Sequence, residues 1–540
     1  MHFYAESQRL PGQPGREGGE FSPSSSVPST RLMATGTELQ RSPVLVIGAG
    51  IMGAGIAQVA AQAGHSVRLY DTREGAVVQA KDKLAATLDG LVGKGKLAAD
   101  AAQATLARIV PIAALAEAAD VALVVEAIVE DLGVKRALLK QLEAVVAADC
   151  ILASNTSSIS ITALANGLAH PGRLVGMHFF NPVSLMKLVE VVSGLHTDAH
   201  VAEAIVELAR AWGKVAVHAR STPGFIVNRI ARPYYAETLA LLQERAAEPQ
   251  VLDACLRTAG FRMGPCELMD LIGHDTNFAV TQSVFEANFH DKRYVPSLVQ
   301  RELVDGGLLG RKSGRGFYRY PDGAPALPVA RFEAPEHARV VTVHGEGPIA
   351  EFLAQAAETA LAAHGPLPSR DRSADWIGLS IDGARLVLTD GRCAGELAAE
   401  LGAAEVAVFD RPLALRAAAG SALAYALPAS ASAGWRAQVE AWLSALGFAP
   451  LAVADTPGLV VARTIAMLIN ETADAVQQGV STPEGADSAM KLGVNYPAGP
   501  FEWLAGWSAH EVIGLLDRLD AHYRGERYRV SPWLRARAAP

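Results

Sequence analysis

The sequence predicts an α/β protein built twice over: a Rossmann doubly wound sheet followed by an all-α helical domain, then a reduced Rossmann-like unit and a second copy of the helical domain. Three observations predict it. A short apolar run, Val44-Leu45-Val46-Ile47, meets the glycine turn Gly48-Ala49-Gly50-Ile51-Met52-Gly53 and then a helical run, Ala54 to Ala63. Apolar strands and polar helices then alternate, which implies a parallel sheet with crossover helices. Finally, Thr222-Pro223-Gly224-Phe225-Ile226-Val227-Asn228-Arg229 returns 234 residues later as Thr456-Pro457-Gly458-Leu459-Val460-Val461-Ala462-Arg463. A pattern shared at one offset marks a duplication.

In the first element each glycine has its own purpose. Gly48 permits the tight turn, Gly50 lets the backbone approach a pyrophosphate, and Gly53 allows close helix–strand packing. Free N–H groups and the dipole at the helix start then hold phosphates. A second strand, Ser66 to Tyr70, ends in Asp71, 18 residues after Gly53. A carboxylate there accepts from the ribose 2′-hydroxyl and repels a 2′-phosphate, so NAD is favoured over NADP. Arg73 weakens that preference a little, and FAD is a lesser alternative. Further strands, Val121 to Val125 and Cys150 to Ala153, lead into Glu126, Glu130 and Lys135, and into Ser154-Asn155-Thr156-Ser157-Ser158. Ligands of such sheets sit at the carboxyl ends of strands, so Glu130 and Ser157 are placed to face the cofactor. The alternative for Ser157 is a helix N-cap.

Next comes Gly176-Met177-His178-Phe179-Phe180-Asn181-Pro182, then Lys187-Leu188-Val189-Glu190-Val191-Val192. If the two runs pair as antiparallel strands about Ser184, His178 lies opposite Glu190 on one face. A carboxylate fixes the imidazole tautomer and raises its basicity, so the ring can take a hydroxyl proton while hydride leaves for a nicotinamide. A lone His beside two Phe is more often a core residue, and a lone Glu in a strand is often solvated. It is the pair, downstream of a dinucleotide fold, that points to catalysis.

These residues carry a resemblance. Ser154 to Val192, Thr222 to Arg229, and Gly310-Arg311-Lys312-Ser313-Gly314-Arg315-Gly316-Phe317-Tyr318 are similar to the L-3-hydroxyacyl-CoA dehydrogenase family, over roughly residues 44–320. The resemblance implies NAD as cofactor and an acyl-CoA thioester as substrate. It implies His178 as base and Glu190 as its orienting carboxylate. Ser157 and Asn228 would bind substrate oxygens. Gly48, Ala49, Gly50, Ile51, Met52, Gly53, Asp71, Glu130, Lys135, Asn181 and Lys312 would line the NAD site. Thr87 and Lys94 would contact CoA, with an exposed polar helix face as the alternative. The long form of the family implies 3-hydroxybutyryl-CoA or, in aromatic degradation, 3-hydroxyadipyl-CoA as substrate. A dicarboxylic tail would need a basic anchor. Arg229 and Arg232 lie close in sequence to Asn228, though Arg229 could equally be a helix-packing residue.

The repeat extends through Glu237-Thr238 and Glu471-Thr472, and through Met263-Gly264-Pro265-Cys266-Glu267 and Ala498-Gly499-Pro500-Phe501-Glu502. The second copy carries Ala462 in place of Asn228, so a structural role is expected. Ala338 to Val343, Leu386 to Leu388 and Val406 to Phe409 are strand-like. His344-Gly345-Glu346-Gly347-Pro348-Ile349-Ala350 resembles a degraded glycine turn, because Pro348 removes an N–H and Ala350 replaces the third glycine. Expected boundaries are a disordered tail at 1–40, the NAD-binding Rossmann domain with the dyad at 41–220, helical copies at 221–322 and 455–540, a linker at 323–337, and the reduced Rossmann-like domain at 338–454. Family enzymes pair through the helical domain, so a pseudo-dimer within one chain, or a homo-oligomer, is expected.

Composition narrows the classes. At 540 residues the chain exceeds one core. Lys and Arg number 48 against 56 Asp and Glu, a net charge of −8, which argues against nucleic acid as a partner. No apolar run approaches the roughly 18 residues of a membrane span; Val121 to Val129 comes nearest, and Glu126 interrupts it. Cys150, Cys255, Cys266 and Cys393 lack CxxC spacing, so no metal site and no disulfide is expected, and a reducing cytoplasm fits. The first 40 residues are rich in Pro, Gly and Ser with no apolar h-region, and Met33 offers a later start. Two other functions compete: a 3-hydroxyisobutyrate-type NAD dehydrogenase, which would rely on a catalytic Lys, and a non-catalytic NAD-binding protein.

Overall fold

The computed structural model describes residues 39–327, 340–362, 366–413, 415 and 420–538. The expected tail up to residue 38, with Met33, and the linker from residue 328 lie outside them.

The first sheet holds eight strands: β1 (Val44–Ile47), β2 (Val67–Tyr70), β3 (Ile109–Pro111), β4 (Leu123–Glu126), β5 (Ile151–Ser154), β6 (Leu174–Phe179), β7 (Leu188–Ser193) and β8 (Val215–Arg220). Their order is β3-β2-β1-β4-β5-β6-β7-β8, and only β6–β7 is antiparallel. β1 and β4 to β6 are buried on both faces, which is why they read as unbroken apolar runs. The Val121–Val125 strand shifts along to Leu123–Glu126, and the Cys150–Ala153 strand to Ile151–Ser154. Each therefore ends on a polar residue whose partner is supplied from elsewhere in the fold.

Around this sheet lie α1 (Ile51–Gln62), α2 (Ala76–Gly93) and α3 (Leu132–Glu143). α3 starts where Asp131 accepts from the Val134 N–H at 2.8 Å, an N-cap. One face of the sheet, with Val44, Val46 and Val125, packs on α1 and α2. The other, with Leu45, Ile47 and Leu152, shares one core with both helical modules. Each fully buried Val or Leu there contributes about 1.5–3 kcal/mol.

The first helical module opens with α4 (Val227–Ile230) and α5 (Arg232–Gln243). The second sheet has β9 (Val341–His344), β10 (Ser369–Asp371), β11 (Gly378–Ile381), β12 (Ala384–Leu388), β13 (Val406–Phe409), β14 (Ser421–Ala426) and β15 (Phe448–Ala452). Their order is β10-β9-β11-β12-β13-β14-β15. This sheet is mixed: β11 pairs antiparallel with both β9 and β12, and β13 with β14. β11 and β12 form a hairpin through Asp382-Gly383, both at positive φ. An Asp-Gly pair is a strong hairpin signal that the strand reading passed over. The helix α6 (Pro348–Leu361) follows the second glycine turn, and α7 (Val461–Gln477) opens the second module.

The two modules pack against each other with reciprocal contacts. Arg229 pairs with Glu471 at 2.7 Å, and Arg463 pairs with Glu237 at 2.7 Å. Both carboxylates are fully buried, and each pair is the other shifted by the repeat. That is a self-complementary, dimer-like interface inside one chain. α7 is buried from Val461 to Ala475 and lies at the centre of it. Among the described residues no helix is long and apolar enough to cross a membrane.

Candidate active site

The glycine turn sits at the carboxyl end of β1. Gly48 has φ +101°, and a Cβ there would lie 2.4 Å from the Ala127 carbonyl oxygen. A Cβ on Gly53 would lie 1.8 Å from the Gly48 oxygen, whereas Gly50 faces open space. No side chain caps α1, and Ile51 is exposed. An uncapped helix start with an open glycine fits a dinucleotide pyrophosphate. Asp71 accepts from the Ala49 N–H at 2.8 Å and from the Arg73 N–H at 2.9 Å. Burial pushes its carboxyl up, but the Arg73 guanidinium and those two N–H groups outweigh it and leave the carboxyl below its ordinary value. The Arg73 side chain is largely exposed and can swing away from a ribose.

Glu130 holds the loop that carries Ser157. Its Oε1 accepts from Thr156 Oγ1 at 2.7 Å, the Ser157 N–H at 2.8 Å and the Ser158 N–H at 3.1 Å. Burial raises its carboxyl, and Lys135 with these donors more than reverses that. Lys135 is only 1% exposed; its ammonium donates to both oxygens of Glu126, at 3.0 and 2.9 Å, and lies 3.3 Å from Glu130. Ser157 is not an N-cap: Ser160 caps the following helix, accepting from the Ala163 N–H.

The β6–β7 register places His178 opposite Glu190. His178 Nδ1–H donates to Glu190 Oε2 at 2.5 Å. Phe180 and Phe225 flank the ring, with centroids at 4.6 and 5.9 Å. Among the described residues nothing bonds Nε2, which is the nitrogen left to take a proton. Glu190 Oε1 accepts from the N–H groups of Ile226 and Val227, at 3.1 and 2.9 Å. One buried carboxylate thus fixes the imidazole and the start of α4, which carries Asn228. Asn228 Nδ2 reaches the Ser157 carbonyl at 3.5 Å, so Ser157, His178 and Asn228 converge.

Asn181 is exposed in the loop after β6, and its neighbour Val183 packs on Gly55 of α1, beside the glycine turn. Lys312 pairs with Asp275 within the helical module. Thr87 is exposed on α2 and turns its hydroxyl to the Lys83 carbonyl, at 2.8 Å, while Lys94 closes that helix. Sequence reasoning missed Glu126 and Asn155. Glu126 interrupts an apolar run, which was the available signal. Asn155 Oδ1 accepts from the Phe179 N–H at 2.9 Å and ties β5 to β6 beside His178. Cys393, Glu396 and His522 lie close enough to suggest a metal. Yet burial pushes the Cys393 thiol up to about 12, and Glu396 is spent capping the Cys393 N–H.

Comparison with known proteins decides the family. The 3-hydroxyacyl-CoA dehydrogenase NAD binding domain matches residues 43–222, and the C-terminal domain of that family matches 224–320 and 458–539. The 3-hydroxybutyryl-CoA dehydrogenase reduced Rossmann-fold domain matches 386–457. A 3-hydroxyadipyl-CoA dehydrogenase of Escherichia coli K12 is 44% identical, covering 92% of this chain and 97% of that protein. The chain belongs to the 3-hydroxyacyl-CoA dehydrogenase family. A probable 3-hydroxybutyryl-CoA dehydrogenase of Deinococcus radiodurans is 45% identical over 51% of this chain and 99% of its own length. The crystal structure of an E. coli K12 3-hydroxybutyryl-CoA dehydrogenase superposes with a TM-score of 0.82 at 44% identity, covering 92% of this chain and 98% of that one. The half-length relative aligns with about half of this chain, which accords with the duplication. The chain is an NAD-dependent enzyme of this family, with NAD as its cofactor.

Proposed function

We propose that this enzyme interconverts an (S)-3-hydroxyacyl-CoA and the 3-oxoacyl-CoA with His178 as general base. The observation that carries the reading is the buried Glu190, which holds His178 by one oxygen and the Asn228 helix by the other. The His178 Nε2 takes the proton of the 3-hydroxyl, its O–H pair becomes the carbonyl π bond, and the C3 hydrogen leaves with its electrons. NAD supplies the hydride acceptor. Ser157 and Asn228 bind the substrate oxygens, where donors aimed at developing charge count most.

The NAD site is formed by Gly48 to Gly53, Asp71 and Asn181, with Glu130 and Lys135 ordering the adjoining loop. Lys312, paired with Asp275 and partly exposed, joins that site from the helical module. Thr87 and Lys94 offer CoA the exposed face and end of α2. The acyl group is short-chain or dicarboxylic, in line with the names of the relatives. The chain works as a self-contained pseudo-dimer, supported by the reciprocal Arg–Glu pairs, and its four free buried cysteines suit a reducing cytoplasm. The test is NADH oxidation with acetoacetyl-CoA and 3-oxoadipyl-CoA, beside His178→Gln. Turnover that vanishes in the variant supports the reading. Full turnover in the variant removes His178 from the chemistry.

A further inference from the structure

Arg229 and Arg232 lie one and four positions after Asn228, and the structure gives them opposite surroundings. Arg229 spends its guanidinium across the module interface, on Glu471 at 2.7 Å and Gln478 at 2.8 Å. Arg232 is only 6% exposed, yet among the described residues no carboxylate pairs with it. Its Nε donates to the Asn228 carbonyl at 2.8 Å, and one terminal nitrogen to Thr281 Oγ1 at 3.0 Å. The guanidinium also lies over the Tyr235 ring, 4.9 Å from its centroid. Burial with no countercharge pulls its pKa below the ordinary arginine value. A buried charge without an ionic partner is costly, and such charges are rarely kept unpaired.

Arg232 borders a cavity of about 90 Å³, room for a carboxylate and its neighbouring methylenes. Arg293 and Arg527 also line it, and among the described residues no acidic one does. Arg527 is neutralised by Glu237, and Arg293 by Glu471 and Asp474. The Arg293 Nε is nevertheless buried with no partner. The cavity therefore presents one guanidinium, that of Arg232, with no ionic countercharge among the described residues, a setting suited to an anion.

Its place relative to the reaction suggests which anion. The Arg232 guanidinium donates to the Asn228 carbonyl at 2.8 Å, so it lies beside the residue that would bind the substrate oxygens. In a six-carbon dicarboxylic acyl chain, three carbon–carbon bonds of about 1.5 Å each separate C3 from the terminal carboxyl carbon. With one hydrogen bond of about 2.9 Å added, that chain reaches about 7 Å beyond C3, the scale of a side chain adjoining Asn228. We infer that Arg232 anchors the terminal carboxylate of a dicarboxylic 3-oxoacyl chain, so that this cavity is the specificity subsite of the enzyme. The inference rests on the dehydrogenase reading above and adds the acyl class to it.

The test uses the full chain and two substrates that differ by one charge: 3-oxoadipyl-CoA and its terminal methyl ester. With NADH oxidation as the readout, kcat/KM for the acid should exceed that for the ester by on the order of 10- to 100-fold, mainly through KM, as for a charge-assisted hydrogen bond. Arg232→Met should bring the ratio close to one, and Arg232→Lys should keep part of it. A merely structural role would lower both rates and leave the ratio. A ratio near one in the unaltered protein, or one that survives Arg232→Met, overturns the subsite, whatever small anion fills the cavity. The first of these needs no variant to fold. Failure to turn over acetoacetyl-CoA as well would instead overturn the dehydrogenase reading itself.

Discussion

After the first sheet, the N–H groups of Ile226 and Val227 are held by Glu190; after the second, those of Val460, Val461 and Ala462 are held by Asp410. The backbones match in detail: Gly224 and Phe225 have φ of 75° and 47°, and Gly458 and Leu459 have 72° and 51°. Further on, Asp253 accepts from the Cys266 and Glu267 N–H groups, and Asp487 from those of Phe501 and Glu502. What differs is the spare valence of the carboxylate. Glu190 turns its second oxygen to His178, whereas Asp410 spends both oxygens on backbone, including the Arg411 N–H at 2.8 Å. The glycine turns diverge in the same sense. Gly345 meets β10 as Gly48 meets β2, but Pro348 and Ala350 stand where the first turn has Ile51 and Gly53. One anchoring device thus holds an imidazole as well as backbone in one half and backbone alone in the other.

The strongest way to break this comparison is at the carboxylates' partners. His178→Gln should lower kcat by roughly 10²–10⁴ while NADH still binds, measured by fluorescence titration. Arg411→Gln, beside the second carboxylate, should leave kcat within about twofold; an equal loss would mean that the second half takes part in turnover.

The reciprocal pairs come next. Glu471→Ala leaves Arg229 and Arg293 buried beside a missing charge and should cost about 3–5 kcal/mol in a denaturant titration. Glu237→Ala should cost a similar amount by symmetry. A large loss at one and none at the other would show that the interface is not symmetric in energy. Asp410→Ala removes the cap of α7 and should cost about 1–3 kcal/mol with little change in kcat.

Acidity offers a finer test. Burial raises the Asp410 carboxyl to about 6, although four backbone N–H groups oppose it. The folded state then holds a proton that the unfolded chain has already released, so this group's contribution to stability falls as pH rises from about 4 to about 6. Asp410→Asn should flatten that part of the stability–pH curve, and an unchanged slope would show that Asp410 ionises normally. The smallest effect expected is that of Ala462→Asn. Restoring the amide should confer no second activity, because among the described residues no imidazole bonds Asp410. A second active site that titrates independently of His178 would contradict this.

Much of the molecule was legible in the chain alone, because the governing signals are local. Gly48 to Gly53 announces its turn through sterics, buried parallel strands announce themselves as apolar runs, and the repeat needs only comparison of the chain with itself. The facing of His178 and Glu190 follows from the two-residue period of a strand once the hairpin is granted. Other features depend on segments far apart in sequence meeting in space. No spacing rule told Arg229 from Arg232; the fold gave Glu471, 242 residues away, to the first and, among the described residues, no carboxylate to the second. Lys135 meets Glu126 and Glu130, and Lys312 meets Asp275, pairings that no local pattern announces. Charges at conformable side-chain ends take whichever partner the packed core brings within reach, and only the tertiary structure settles which one that is.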